Sequence, residues 1–310
     1  MREGMTHKPV IFIDGEAGTT GLEIRERLAP LPVTLHSIDH AHRKDLAARK
    51  EAMQAADLVV LCLPDAASRE AVEMAAGLGD TAPRILDAST AFRTAPGWVY
   101  GFPELAAGQA EAIAIAPRVA NPGCYPTGAI ALLRPLVDAG VMDAHYPVCI
   151  NAISGYSGGG RSMIEAHERD GGPAFELYGL KLEHKHVPEI HQHAGLKRRP
   201  VFVPSVGHFP RGMIVSIPLH LDDLSNNVSG EDLHNILEKH YAGQDHVRVL
   251  AAEPKLSAEA LAGSDRMELR VHANTQNRQA LLTARLDNLG KGASGAALQN
   301  IRLMLGLNAA

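Results

Sequence analysis

The stretch VIFIDGEAGTTG (residues 10–21) sets a short apolar run, Val10 to Asp14, directly against a turn with glycine at 15, 18 and 21. Beyond it Ile24, Leu28 and Leu31 recur at helical spacing, so the segment reads as strand, glycine turn, helix. Glycine lets the backbone of such a turn pass close to a ligand. The helix that follows points its open N–H groups and positive end at the same place. G-x-x-G-x-x-G in this setting is a variant of the dinucleotide fingerprint, with Gly15, Gly18, Thr19, Thr20 and Gly21 placed to hold a pyrophosphate.

Outward from that turn, strand and helix signals alternate. VTLHSID (33–39) reads as a second strand, and DLVVLCLP (57–64) as a third, apolar on both faces as in a buried parallel sheet. A helix over about 66–78 leads to RILDAS (84–89), and AIAIA (112–116) is expected to close the series as a strand. The pattern predicts βαβ units in a Rossmann-like, doubly wound parallel sheet, an α/β fold. At the end of the second strand two nucleotide preferences meet. Asp39 stands where an NAD-type acid would hold a ribose, whereas His40, His42, Arg43 and Lys44 can neutralise a 2′-phosphate. The local sequence admits both.

The character changes after NPGCYP (121–126). A helix follows in TGAIALLRPLVDAG, with Pro126 in its first turn and Gly140 at its end. Period-two alternation then dominates in PVCINAIS (147–154), MIVSIPLHL (213–221) and MELRVHA (267–273), which predicts an α+β catalytic domain on a mixed or antiparallel sheet. DNLGKGASGAALQNIRLML (287–305) is a glycine-rich loop running into an amphipathic helix. The expected division is residues 1–118 for the cofactor, 119–286 for catalysis and dimerisation, and 287–310 as a final helix.

Composition narrows the function classes. A chain of 310 residues at 45% hydrophobic can fill two cores, and a net charge of −5 argues against nucleic-acid or anionic-membrane partners. No apolar run approaches the roughly 20 residues a bilayer requires, and MREGMTHKPV lacks an apolar signal core, so the cytoplasm is the expected compartment. Cys62, Cys124 and Cys149 are too scattered for a disulfide framework or a zinc cage. Cys62 and Cys149 lie in strand-like runs and read as small buried hydrophobes. The 16 histidines form no metal tract, and no metal is expected.

Cys124 differs from the other two cysteines because Asn121-Pro122-Gly123-Cys124 places it at a helix N-terminus. That position favours a thiolate and offers amides to a developing oxyanion. A cysteine nucleophile requires an acid/base partner. His184-Lys185-His186-Val187-Pro188-Glu189 supplies two histidines, either of which fits, and a carboxylate to orient one. His191 and His193 read as surface residues. Ser154-Gly155-Tyr156-Ser157-Gly158-Gly159-Gly160-Arg161 reads as an anion loop, its amides and the Arg161 fork facing a phosphate. Arg93 and Arg211 are further anion candidates, each against the alternative of a structural ion pair.

With these residues in hand, the chain resembles the N-acetyl-γ-glutamyl-phosphate reductases in their shorter form. GEAGTTG, LPD (63–65), YGFPEL (100–105), NPGCYPTG (121–128), SGYSGGGR (154–161), HKHVPEI (184–190), VGHFPRGM (206–213) and DNLGKGASGAALQN (287–300) follow in the family's order. The resemblance implies NADPH as reductant, Cys124 as nucleophile and a histidine of HKH as acid/base. It places Ser37, Arg43 and Pro64 with the cofactor and Asn288, Gly290 and Gly292 at its nicotinamide end, with the last helix packed on the cofactor domain. Asn121, Ser154, Gly155, Arg161, Arg93 and Arg211 fall to the substrate. It also implies a homo-oligomer, dimer or tetramer. One departure is visible: longer members carry a histidine close after the FxP turn, where this chain has FVPSVGH, with Ser205 and then His208. Rival readings are a reductase of aspartyl or N-acetyl-aminoadipyl phosphate, a dinucleotide-binding regulator without catalysis, and a Cys/His hydrolase.

Overall fold

The computed structural model describes residues 8–39 and 41–307, so His40 lies outside the described residues. The chain divides into two compact units. One takes the chain up to Gly101, Ala110–Asn121 and the segment from Ala297; the other takes Phe102–Gln109 and Pro122–Ala296. The first crossing therefore comes just before Phe102, earlier than the expected boundary at 118.

The first unit alternates strand and helix: β1 (Val10–Asp14), α1 (Thr19–Leu28), β2 (Thr34–His36), α2 (Leu46–Gln54), β3 (Leu58–Leu61), α3 (Asp65–Ala76) and β4 (Arg84–Asp87). Then come β5 (Val99–Tyr100), α4 (Gln109–Ile115) and β6 (Arg118–Ala120). The strands lie in the order β2-β1-β3-β4-β6-β5 and every pairing is parallel. All four residues of β3 are buried, which the unbroken LVVL run requires of a strand covered on both faces. AIAIA departs from the expected strand, because most of it ends helix α4. Ile113 is fully buried while Ile115 is 85% exposed, and the alanines favour a helix that buries one edge. The strand that closes the sheet is β6, directly before the NPGC turn.

In the second unit α5 (Cys124–Asp138) is buried along nearly its whole length. Pro135 inside it has no N–H to give the carbonyl four residues back, and Tyr241 Oη donates to that Ala131 oxygen at 2.9 Å instead. Around α5 lie β7 (Cys149–Gly155), α6 (Arg161–Asp170), β8 (Phe175–Leu177), α7 (Val187–His193), β9 (Val201–Gly207), β10 (Met213–His220), α8 (Gly230–His240), β11 (Val247–Val249), β12 (Met267–Asn274) and β13 (Gln279–Leu286). The sheet order is β11-β12-β13-β10-β7-β9-β8. β7–β9 and β11–β12 are parallel and the other pairings antiparallel, so the sheet is mixed. β10 buries Met213, Val215, Ile217 and Leu219 on one face, as its alternation demands. Gly128 lets α5 close on this face, for a Cβ there would meet Val215 Cγ2 at 2.8 Å.

A π-helical turn (Gly290–Ser294) leads into α9 (Gly295–Met304). In the first unit, Ala297, Ile301 and Met304 of α9 pack with Ile11, Ile13, Leu58, Val60 and Leu86. Arg84, at the start of β4, donates to the carbonyls of Met304, Ala114 and Ala116 and ties the ends of α9 and α4 to the sheet.

Candidate active site

In the first unit the glycine turn is shaped by contacts that exclude side chains. Gly15 has φ +91°, and a Cβ on it would lie 2.4 Å from the Cys62 carbonyl oxygen. A Cβ on Gly21 would lie 2.5 Å from the Gly15 oxygen. Gly18 begins α1 without a side-chain cap and no acid stands in the first turn, so the helix end is left for an anion. Thr19, Thr20 and Gly21 form that first turn. A cavity of about 320 Å³ opens beside it, lined among others by Gly15, Glu16, Gly18, Leu63, Arg43 and Lys44. The donors and the shape fit a dinucleotide. Asp14, also on the cavity wall, is neutralised by Arg49, whose Nη2 lies 2.7 Å from Asp14 Oδ2.

The other predicted residues of this unit fall around the turn. Pro64 precedes α3 as its N-cap. Ser37 lies just past β2 and donates to Glu16 Oε2 at 2.9 Å. Asp39 is exposed, and its carboxylate accepts from Ala41 N at 3.0 Å, closing its own turn. Cys62 lines the cavity as a thiol: burial, then Asp87 and Asp14, push it up to about 12.

Two of the anion candidates are employed structurally. Arg93 is 8% exposed, and its Nε and Nη2 donate to the carbonyls of Asn121 and Ala88. Its side chain braces the approach to the NPGC turn. Asn121 is held in the same unit by Asn300 Nδ2 at 3.0 Å and by its own N–H to Asp87 O at 2.7 Å. In the second unit, Arg211 pairs with fully buried Asp287, Nη2 to Oδ2 at 2.9 Å. Its structural alternative is the one present.

Cys124 opens α5, partly buried and unbridged. Gly123 before it donates its N–H to Glu189 Oε1 at 2.8 Å, and Glu189 is 2% exposed. Glu189 thus pins the turn that presents the thiol. Gly292 touches the cysteine from the other side, for a Cβ there would sit 2.9 Å from Cys124 Cβ. Asp287 shapes that loop by accepting from Leu289 N at 2.9 Å and Gly263 N at 2.5 Å, while a Cβ on Gly290 would strike Ser264 O at 2.0 Å. Asn288 is committed to Ser157 Oγ (2.9 Å) and Gly212 N (2.8 Å).

Tyr125, next to the cysteine, gathers the histidines. Its ring centroid lies 6.1 Å from that of His184 and 5.9 Å from that of His186, and the two imidazoles are 4.8 Å apart. Tyr178 Oη donates to Tyr125 Oη at 3.1 Å. Burial pushes the Tyr178 hydroxyl up to about 12; the Tyr125 contact pulls it down and a thiolate at Cys124 pushes it further up. His184 accepts at Nδ1 from the His186 N–H at 3.2 Å, which puts the proton of its neutral ring on Nε2. Burial, then Lys185, lower it to about 4, so His184 is neutral at pH 7. His191 and His193 on α7 are half-buried rather than at the surface. Tyr125 stood inside a quoted motif, but nothing in FELYGL marked Tyr178.

Four amides of the glycine/serine loop bond within the protein. The amides of Gly155, Tyr156 and Ser157 donate to Gly212, Phe209 and Pro210, and Gly160 N donates to Ser157 O. The first three of these hydrogen bonds hold the 154–160 and 209–212 turns together, the fourth closes the loop on itself, and all four leave their amides unavailable to an anion. Ser154 is 3% exposed behind them. Arg161 is exposed at the first position of α6, where the uncapped helix start adds to its charge. His208 lies with His167, Nδ1 to Nδ1 at 2.9 Å, under the ring of Tyr156.

Residues 14–115 match the semialdehyde dehydrogenase NAD binding domain and residues 124–288 the semialdehyde dehydrogenase dimerisation domain. N-acetyl-gamma-glutamyl-phosphate reductase 2 of Pseudomonas putida is 55% identical over 97% of this chain and 98% of its own length. The chain belongs to the N-acetyl-γ-glutamyl-phosphate reductase family. The Brucella ovis reductase is 54% identical over 96% of this chain and 99% of its own. Among solved structures, aspartate semialdehyde dehydrogenase II of Vibrio cholerae superposes with a TM-score of 0.73 at 17% identity, covering 98% of this chain and all of that one. The Candida albicans aspartate semialdehyde dehydrogenase solved with NADP gives 0.66 at 12%, over 96% and 99% of the two chains. These two share the reductase family's fold. Among the described residues no helix is long and apolar enough to cross a membrane.

Proposed function

We propose that this chain reduces N-acetyl-γ-glutamyl phosphate to N-acetylglutamate 5-semialdehyde and phosphate with NADPH, through a thioester on Cys124, in the cytoplasm and in arginine biosynthesis. The observation that carries the reading is Cys124 at the start of α5, on a turn pinned by Glu189, touched by Gly292 and flanked by the Tyr125–His184–His186 cluster. The names of the relatives supply the substrate.

In this reading the Cys124 thiolate attacks the γ-carbonyl carbon and the acyl C–O bond to phosphate breaks, leaving the acyl group on sulfur. Arg161 and the start of α6 receive the departing phosphate. Gly15–Gly21, Ser37 and Arg43 would hold NADPH, which when bound would supply the hydride, the two electrons that take a thioester to the aldehyde level. Oxyanion charge then develops where α5 begins, and a protonated histidine neutralises it. His184, lowered to about 4, is a poor imidazolium at neutral pH. His186 takes the proton-donating role, and His184 offers a neutral Nε2–H. Collapse of the thiohemiacetal returns the hydroxyl proton to the histidine, breaks the C–S bond to regenerate the thiolate and frees the aldehyde. The first unit, with α9, serves the cofactor; the second carries the chemistry and joins copies into a homo-oligomer.

The test is the reverse reaction: NADP reduction by N-acetylglutamate semialdehyde with phosphate, beside aspartate semialdehyde and against Cys124→Ser. Phosphate-dependent turnover of the acetylated aldehyde, abolished in C124S with nucleotide binding near normal, is the expected result. Turnover of aspartate semialdehyde alone would overturn the substrate, and an active C124S would overturn the thioester.

A further inference from the structure

The cavity beside the glycine turn contains a charge arrangement that the thioester chemistry does not use. Arg25, on the third turn of α1, donates from Nη1 to Glu16 Oε2 at 2.5 Å and to Ser37 Oγ at 2.8 Å, and Ser37 donates to the same Glu16 oxygen. Glu16 lies in the turn itself and lines the cavity with Arg43 and Lys44. Its carboxylate and the Arg25 fork are both open to solvent in part, at 29% and 45%. One cation and one hydroxyl hold the Glu16 carboxylate, and two further cations line the same cavity. Asp39, the acid that would otherwise read a ribose from the end of β2, is turned into its own loop.

That balance decides what the pocket accepts. A carboxylate free to receive two ribose hydroxyls would mark an NAD reader. Here the nearest one is already held by a guanidinium and a serine, with a positive surplus beside it. A phosphomonoester carries −1.5 to −2 charge and three acceptor oxygens, so it outcompetes a single carboxylate for a guanidinium fork.

We propose that Arg25 and Ser37 form the seat of the cofactor's 2′-phosphate, and that Glu16 is a placeholder that keeps them arranged and is displaced when the phosphate enters. Arg43 and Lys44 add positive charge to the lining of the same cavity. Glu16 therefore lowers the affinity for NADPH while holding its site in shape, and Arg25 sets the discrimination against NADH. The inference rests on the cofactor reading above but on none of the chemistry at Cys124.

The experiment is equilibrium titration of NADPH and NADH by nucleotide fluorescence, with wild type, Arg25→Ala, Arg25→Lys and Glu16→Gln. Arg25→Ala is expected to weaken NADPH about tenfold, the loss of one charge-assisted contact, and to leave NADH within about twofold. Arg25→Lys should recover part of the loss as a point charge without the fork. Glu16→Gln should tighten NADPH by about threefold or more and leave NADH unchanged. Equal weakening of both nucleotides by Arg25→Ala would make Arg25 a structural brace and overturn the proposal. Weaker NADPH binding in Glu16→Gln would overturn the placeholder role. No acyl phosphate enters these titrations, so failure of the Cys124 mechanism would leave them intact. A wild type that binds neither nucleotide would instead overturn the cofactor reading and this inference together.

Discussion

Lys291 and Glu104 form an ion pair that is about as dry as a protein allows. Each side chain is 1% exposed, Nζ reaches both carboxylate oxygens at 2.7 and 2.8 Å, and the ammonium lies 5.3 Å from the centre of the Phe102 ring. Lys291 sits inside the π-helical turn whose Gly292 touches Cys124, so the pair fastens that turn to the 102–109 segment of the same unit. Removing one partner leaves a buried charge with no counter-charge, which costs about 3–5 kcal/mol. In a unit of this size each kcal/mol moves the melting temperature by about 2–4 °C, so Lys291→Met should lower it by about 6–20 °C. The double variant Lys291→Met/Glu104→Met removes both charges at similar volume and should recover most of the loss. Lys291→Met also acquires a pH signature. Its lone Glu104 has a folded pKa raised above the unfolded value, so stability is present at low pH and is lost as pH rises through the raised pKa. Scanning calorimetry at pH 5 and pH 8 on the single and double variants reads all of this. A Lys291→Met penalty below about 1 kcal/mol, or a double variant that loses the sum of the singles, would refute the buried-pair argument.

Two further outcomes follow from the site. His184 has a folded pKa lowered to about 4 from 6.5, so its contribution to stability is complete above pH 6.5 and is lost as pH falls from there toward 4. Replacing it with phenylalanine should flatten denaturant midpoints over that window, and an unchanged slope would show that the pH dependence lies elsewhere. Gly292→Ala should lower kcat by about a hundredfold with nucleotide affinity little changed, because the new methyl meets Cys124 Cβ at 2.9 Å and displaces the nucleophile; near-normal single-turnover reduction would refute it.

The first unit was legible in outline because its strands are unbroken apolar runs and its turn is written in glycines. AIAIA was not, since alanine alternating with isoleucine satisfies a strand's period while its small residues suit a helix equally well. In the second unit the central strands declared themselves by alternation. β8, β9 and β11 did not, because β8 exposes all three of its residues, β9 contains a proline, and β11 is three residues long. The cysteine and both histidines could be named from local motifs. Their surroundings could not. Tyr178 reaches Tyr125 across 53 positions and Glu104 reaches Lys291 across 187, and no short window contains such a pair.

A similar division explains why the arginines were harder to read than the nucleophile. A guanidinium near a glycine turn looks the same in sequence whether it awaits a phosphate or already holds the protein together. What separates the cases is the partner: two backbone carbonyls for Arg93, fully buried Asp287 for Arg211, a half-exposed Glu16 for Arg25. Moving Arg211 off Asp287 would strand a carboxylate that also holds the Leu289 and Gly263 amides, so that contact resists exchange. Glu16 is reached by solvent and can swing away at little cost, so only this partner is exchangeable for an incoming anion. Burial of the partner, more than of the arginine, thus distinguishes a fork that braces from one that can bind.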